Sequence, residues 1–529
     1  MNKKRNIVLI LVDQMRPDFI GPYGADFIKT PNLDELAANG VTFDNAITAS
    51  TVCAPARASV MTGKHVSGHD AWTNDIPCKE GTEYIAERMN KAGYMTAAVG
   101  EFDHAPRGNK IGFKYLQLFD GKLDSDYMKY FTAKHPEESR YSVSDGTYHF
   151  KYGEEDFYDR WTTDRATEFI DSYVKTGKAP DGAEPDCGDG KAPFFLYCGL
   201  FAPHSPLIPP HGVEDMVDPD KIPTIFNSTR DDIASVEKYR RAYLTPHETL
   251  VNPESAVPAR MEQRRAYCEL IAEIDCLVGR IVQSLRDNGI YEDTTIIFSS
   301  DHGSVDNDYN VVSKGPWPYK AQLFIPMIVS NNPNLDAGTH RDCLCGNLDI
   351  GATALDIAGD DKEFGVSRSM IGMANGSAPE RRCNMSEFSD AVKTVVDKRY
   401  TFTYYPFEGI TTLYDRIEDP TEMNNLGGKE EYRSIERRFM MDIIDYQCLA
   451  KGLRLEAHDV TPEIKAGIEE KNPKFLDSFD IAYPLNSWTQ VERVEQAGLD
   501  GTYNEFCRGR EIKAHYGAYV LDGERPVKK

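Results

Sequence analysis

Short apolar runs recur along the chain, each closed by a polar or turn residue. Asn6–Val12 is a β-branched run of strand length that Asp13-Gln14 ends. Met95–Val99, Phe194–Leu200, Thr294–Ser299 and Pro326–Val329 repeat the pattern. Helical periods lie between them. Thr30-Pro31-Asn32-Leu33 opens one, with Leu33, Leu36 and Ala37 on a common face and Gly40 at its end; Tyr84–Ala92 reads as another. Residues 263–288 carry the longest, with Ala266, Leu270, Ile274, Leu277, Ile281 and Leu285 in helical register. Strands alternating with helices predict an α/β fold built on a large, mostly parallel sheet sandwiched by helices. Ligands of such sheets gather at the carboxyl ends of the strands. Two strands end there in polar pairs, Asp13-Gln14 and Asp301-His302.

The texture changes towards the C-terminus. Tyr400–Tyr405 alternates like an antiparallel strand, Thr412–Tyr414 reads as its neighbour, and a helix is expected over Glu430–Asp445. The pattern divides the chain into a catalytic α/β domain over 1–375, a smaller C-terminal antiparallel sheet with its helix over 376–450, and an extension over 451–529. The extension is charged and Pro-punctuated, yet carries Tyr483, Trp488, Tyr503 and Phe506. Exposing those rings to water is unfavourable, so the segment is expected to pack on something.

Charge narrows the partners. The 529 residues hold 60 Lys and Arg against 84 Asp and Glu, a net charge of −24. Phosphate backbones and anionic lipids are bound by clustered cations, so neither nucleic acid nor membrane is an expected partner. A small anion held by a few local cations stays compatible with this balance. The basic Met1–Arg5 ahead of an apolar run mimics a secretory signal. The run Ile7–Val12 has only six residues, short of the ~7–15 such a signal uses. No apolar run approaches the ~20 residues of a membrane span, and the expectation is a soluble cytoplasmic protein. Eleven scattered cysteines, an odd count, suit reduced thiols rather than a disulfide framework or a zinc site.

The sharpest local feature is Cys53-Ala-Pro-Ala-Arg57, followed by Thr62-Gly63. Pro55 fits the first turn of a helix and Gly63 its end. Cys53 then sits at a helix N-terminus, which favours negative charge, with Arg57 one turn along on the same face. A nucleophile in that setting suits attack on an oxyanion. A small buried cysteine at a helix start is the plainer alternative.

Cys53-x-Pro-x-Arg57 with Thr62-Gly63 resembles the signature of the formylglycine-dependent sulfatases of the alkaline-phosphatase superfamily. The opening strand with Asp13-Gln14, Thr30-Pro-Asn-Leu-Asp-Glu-Leu, Gly40-Val-Thr-Phe, Phe201-Ala-Pro-His204-Ser-Pro, Ser300-Asp301-His302-Gly303 and Lys314-Gly315 match in order. So does Leu413-Tyr414-Asp415 with Asp419-Pro-Thr-Glu and Asn425-Leu426. The resemblance covers about residues 4–427. Gln14 and Asn74 are closest to the choline-sulfatase and phosphonate monoester hydrolase branch.

The resemblance implies hydrolysis of a small-molecule sulfate ester; a phosphonate monoesterase or phosphodiesterase using the same site is the alternative, and a non-catalytic binding protein a more distant one. It implies that a maturation enzyme oxidises Cys53 to Cα-formylglycine. The aldehyde hydrate offers one oxygen to attack and a second to eject sulfate, a release step that a thiolate lacks. Asp13, Gln14, Asp301 and His302, with the residue at 53, are implied ligands of one divalent cation. Calcium is expected, with manganese the alternative because this set has one carboxylate fewer than usual and an imidazole. His204, aided by Lys314, would protonate the leaving alcohol. Arg57, Lys314 and Asn74 would hold the sulfuryl oxygens. His104, one position later than the family's histidine, would act as base in Gly100-Glu-Phe-Asp-His104, where the family's Lys is missing. His65 and His69 are expected to be structural. Branch members use C-terminal extensions to join subunits, so a homo-oligomer held by 451–529 is expected.

Overall fold

The structure, a computed structural model, describes residues 4–450 apart from 75, 105–107, 120–124, 188–191, 231, 233–256 and 312–313 and the side chains of 449 and 450. The extension 451–529, and the subunit-joining role expected of it, lie outside the described residues.

Eight strands form the main sheet: β1 (Asn6–Val12), β2 (Gly40–Ile47), β3 (Met95–Glu101), β4 (Tyr115–Phe119), β5 (Phe194–Leu200), β6 (Thr294–Ser300), β7 (Met327–Ser330) and β8 (Thr339–Gly346), in the order β4-β3-β5-β1-β6-β7-β2-β8. All neighbours are parallel except β7, which runs antiparallel to both β6 and β2. The alternation of β1 explains its burial. Val8, Ile10 and Val12 enter one core cluster, whereas Ile7, Leu9 and Leu11 enter another on the opposite face. A strand covered on both faces has to be apolar at every position. The first cluster is covered by the helices Tyr158–Thr176 and Val257–Asp287. Residues of Ile85–Lys91 and Ile350–Ala358 fill the second.

A second sheet, β9 (Asn384–Phe388), β10 (Val392–Val396), β11 (Tyr400–Tyr405) and β12 (Ile410–Asp415), is antiparallel throughout, in the order β12-β11-β10-β9. The helix Arg433–Ala450 packs on it through Phe439 and Ile443, against Phe402 and Leu413. A further cluster joins the two sheets. In it Val52, Trp317 and Tyr319 meet Phe388, Val392 and Tyr405. Trp317 is thus a core residue, and Trp72 packs at the edge of the same cluster.

Some elements differ from the sequence expectation. The helix Pro31–Ala38 closes just before Gly40 as expected, but Gly40 does more than end it: Gly40-Val-Thr-Phe begins β2. The long helix starts at Val257, about two turns earlier than its apolar period suggests. Strands β4, β8, β9 and β10 carry no clean period of their own; their partners in the sheet and core decide their state. The ten cysteines among the described residues are all free, and no helix of those residues is long and apolar enough to cross a membrane.

Gly199 lies opposite Gly100 where β5 and β3 run closest. A Cβ on Gly199 would fall 1.9 Å from the carbonyl oxygen of Glu101. We expect Gly199→Ala to force the two strand ends apart and to destabilise the fold by about 1–3 kcal/mol or more. Denaturant unfolding checks this; unchanged stability would mean that the approach is slack.

Candidate active site

Register brings the two polar pairs together. In the β1–β6 ladder Val12 faces Ser300, so residues 13–14 and 301–302 leave the sheet side by side. The Asp301 N–H donates to Val12 O at 3.1 Å, and the Asp13 N–H to Leu200 O of β5 at 3.0 Å. Gln14 takes a left-handed backbone, φ 69°, costly for a residue with a Cβ. It is held there because its N–H donates to Asp301 Oδ1 at 3.1 Å and its carbonyl accepts from the Tyr267 hydroxyl at 2.8 Å. Its Nε2 donates to Ser304 Oγ at 3.0 Å, which makes the amide oxygen its donor towards a cation.

Cys53 opens the helix Cys53–Thr62, with extended Val52 before it and left-handed Gly63 after it. The next N–H, of Ala54, donates to Asn74 Oδ1 at 3.1 Å, so Asn74 serves the exposed amides of this helix start. Cys53 Sγ lies 3.8 Å from Asp13 Oδ1 and 3.4 Å from His302 Nε2. Lys314 Nζ contacts the same sulfur and sits 3.6 Å from Asp13 Oδ1 and 3.4 Å from His302 Nε2. Asp13, Cys53, Asp301 and His302 each offer one ligand atom, all within 4.8 Å of one another, and all four residues are buried. They fit a divalent cation on their donor chemistry. His302 Nδ1 faces the Gly303 carbonyl at 2.8 Å, which fixes the proton there and turns the Nε2 lone pair to the cluster.

Arg57 is wholly buried. Its Nη2 donates to Asp13 Oδ2 at 3.1 Å and its Nε to Asp301 Oδ2 at 3.0 Å. Nη1 donates to the Glu101 carbonyl at 3.0 Å and meets the Tyr197 hydroxyl at 2.7 Å. Arg57, expected to hold sulfuryl oxygens, turns its fork to the two carboxylates and so positions Asp13 and Asp301.

The electrostatics follow from burial. Burial works against the charge of Asp13, but Lys314, His204 and Arg57 outweigh it and hold its carboxyl far below the usual range. Asp301 shares that neighbourhood, and burial together with the charge of Asp13 pushes it up to about 7. Two carboxylates this close do not both ionise freely without a cation. Burial and then Lys314 push His302 down to about 3, which keeps the imidazole neutral as a ligand must be. Lys314 stays charged, because Asp13, Cys53 and Asp301 overcome its desolvation.

His204 follows β5 by four residues, and the backbone N–H groups that lead to it are fixed by a buried carboxylate. Asp159 accepts the N–H groups of Phe201 and Ala202, both at 2.7 Å. Burial and Lys314 push His204 down to about 3. His104 does not join the cluster: its ring packs on Tyr84, 5.3 Å between centroids, and on Phe102 at 6.0 Å. Its Nε2 is buried without a hydrogen-bond partner, and among the described residues no hydrogen bond or ion pair links it to Cys53. The position one residue late turns the imidazole onto an aromatic face, and the expectation of His104 as base is not carried further. His69 bonds Ser59 Oγ through Nε2 at 3.0 Å, and His65 stacks edge-on to Tyr446 at 4.9 Å, both behind the helix.

Sequence reasoning missed Tyr197, Asp159, Ser304 and Gln322. Gln322 Nε2 donates to Gly315 O at 2.7 Å and to Thr51 O at 3.1 Å, joining the Lys314 loop to the Cys53 loop. A polar residue inside an otherwise apolar strand, Tyr197 in Phe194–Leu200, is the signal that could have found one of them.

This mostly parallel sheet, with carboxylates and an imidazole at its strand ends and a cysteine at a helix N-terminus, has the layout of a hydrolase of oxyanion esters. The chain belongs to the sulfatase family: the family model described as "Sulfatase" matches residues 5–360, and one described as "N-sulphoglucosamine sulphohydrolase, C-terminal" matches 314–448. It is 29% identical to an arylsulfatase of Clostridium perfringens over 471 residues, covering 81% of this chain and 92% of that protein. A choline-sulfatase of Rhizobium meliloti is 24% identical over 439 residues, covering 80% and 82%. Among solved structures, the phosphonate monoester hydrolase of Agrobacterium radiobacter shares the fold with a TM-score of 0.69 at 21% identity, covering 84% of this chain and 96% of that one. The chain is therefore a sulfuric ester hydrolase, and its family implies a metal ion and a formylglycine.

Removing Arg57 strips two buried carboxylates of the one cation among the described residues that bonds to both. We expect Arg57→Ala to destabilise the fold by about 3–5 kcal/mol and Arg57→Lys to restore little, because an ammonium cannot bridge both carboxylates. Melting curves and turnover check this; a lysine variant matching the wild type in both would refute the bridging role.

Proposed function

We propose that this chain hydrolyses a small-molecule sulfate monoester with Cys53 carried as Cα-formylglycine and one divalent cation on Asp13, Gln14, Asp301 and His302. The observation that carries the reading is the convergence on Cys53 Sγ of His302, Lys314 and Asp13 at the start of a buried helix. The cation is calcium, with manganese the competitor that the His302 imidazole admits; when bound it lowers the pKa of a coordinated oxygen acid and neutralises an oxyanion. The hydrated aldehyde at position 53 supplies a hydroxyl nucleophile and a second hydroxyl for release of sulfate.

The other residues bind and move protons. Lys314 is the cation nearest Sγ and takes a sulfuryl oxygen. Asn74, at the helix start, stands beside the same anion. Arg57 holds Asp13 and Asp301 in the ligating geometry. His204 is the acid for the departing alcohol. Burial, and then Lys314, keep it neutral in the free enzyme, and an incoming sulfate anion offsets the Lys314 charge and helps the imidazole take a proton. The maturation enzyme implied by the resemblance would act on Cys53 before the fold closes, because the native thiol is only 4% exposed.

A panel of aryl sulfate, choline sulfate, sulfated sugars and phosphonate monoesters tests the substrate class. Turnover of a sulfate ester at the highest kcat/KM supports the reading; a phosphonate monoester far ahead of every sulfate overturns it. Chelation should abolish turnover, with one ion per chain recovered by elemental analysis at this site, and Asp301→Asn should lose both metal and rate. Full activity of a metal-free preparation would sink the cation's role. His204→Gln should slow esters of poor leaving groups by ~10²-fold or more while sparing activated aryl sulfates. An equal loss for both would remove His204 as the acid.

A further inference from the structure

The chain turns after β5, and a side chain from another element holds that turn. Asp159 is the second residue of the helix Tyr158–Thr176 and is wholly buried. Its Oδ1 accepts the Phe201 N–H and its Oδ2 the Ala202 N–H, both at 2.7 Å. Two successive N–H groups aimed at one short side chain need two acceptors and no donor, which a carboxylate offers. An asparagine would satisfy one amide and set its own NH2 against the other.

Holding a charge there is costly. Burial pushes the Asp159 carboxyl up to about 7, against the pull of the two amides. Among the described residues no cation pairs with it; the amides, and at longer range Arg57, favour its charge. A buried charge is weak evidence of stabilisation, so the carboxylate is better explained by what it aims.

The acid follows the two anchored amides directly. The His204 N–H donates to the Phe201 carbonyl at 3.0 Å, which closes the turn on which His204 stands. The His204 ring lies on the Phe201 ring, centroids 4.5 Å apart. Its Nδ1 faces the Ser205 carbonyl at 2.5 Å, which fixes the proton there and leaves Nε2 to take up and donate a proton. At the start of the turn, Leu200 O accepts the Asp13 N–H at 3.0 Å. The imidazole is thus placed against Asp13 through backbone that Asp159 holds. A misplacement of about 1 Å in a reacting group can cost ~10²-fold in rate.

We propose that Asp159 is a positioning residue for proton transfer to the leaving alcohol, and that it acts only through His204, by aiming the imidazole at the ester oxygen. The inference rests on the reading of His204 as the acid. The contribution of Asp159 grows with the basicity of the departing group, because a poor leaving group needs the proton most.

Steady-state rates of metal-replete, formylglycine-converted protein on sulfate esters of a graded series of phenols test it, for the wild type, Asp159→Asn, His204→Gln and the double variant. Asp159→Asn should lower kcat by ~10-fold or more on the ester of the least acidic phenol and by less as the phenol becomes more acidic, with KM changed little. In the His204→Gln background the same substitution should cost nothing further, since residues that act as a unit are non-additive. Losses that multiply in the double variant would overturn the proposal, and so would wild-type kcat of Asp159→Asn on the least acidic ester. The two readings separate: an even loss across the series for His204→Gln removes His204 as the acid, whereas additivity in the double variant removes Asp159 as its positioner. Asparagine is close to aspartate in volume and takes away a buried charge, so the variant should fold. Asp159→Glu, which keeps the carboxylate but displaces it by one methylene, is read in the same way. Failure of both variants to fold would make Asp159 a residue of stability and overturn its positioning role.

Discussion

Two aspartates approach one another at the buried end of a parallel sheet, and a guanidinium lies between them. Asp13 and Asp301 leave adjacent strands in register, and Arg57 reaches one oxygen of each. In a low-dielectric interior two like charges repel strongly, and a lone carboxylate is costly to bury. The bridge offsets both costs, and it leaves Oδ1 of each aspartate turned to Cys53 and His302. Arg57 is on the helix that Cys53 begins, so the same interaction fixes the distance between Cys53 and the two aspartates. The remaining machinery is built around this contact.

A second layer holds the loops. Gln322 joins the segments bearing Lys314 and Cys53, and its carbonyl accepts the Gly303 N–H beside His302. Thr48 and Asn347 both donate to the Asp301 carbonyl. Asp159 binds the amides that precede His204. These are buried groups that bond to other buried groups, and such networks keep nearby atoms in place without reorganisation during reaction. The smaller sheet contributes through packing: Phe388, Val392 and Tyr405 support Val52 and Trp317, which flank the Cys53 and Lys314 segments.

The site was legible in the sequence to the extent that it is local. Cys53-x-Pro-x-Arg57 encodes a helix start in five residues, and Asp13-Gln14 and Asp301-His302 each follow an apolar strand directly. The central strands β1, β3, β5 and β6 were equally plain, because burial on both faces demands unbroken apolar runs. Long-range pairing was not legible. Nothing local to Arg57 says that its fork is spent on aspartates 44 residues before it and 244 after it. The orientation of His104 onto Tyr84 depends on the helix Ile85–Lys91 packed beside β3. The edge strands β4 and β8 owe their state to neighbours, since one partly wet face leaves no continuous apolar run.

The central claim is that chemistry at position 53 requires the aldehyde. Preparations made with and without a formylglycine-generating enzyme can be measured by intact mass, where conversion of the thiol lowers the mass by roughly 18 Da, as the activated-nucleophile chemistry requires. Sulfate release per chain is then plotted against the converted fraction. The account predicts a straight line through the origin. Equal turnover from fully unconverted protein would contradict it.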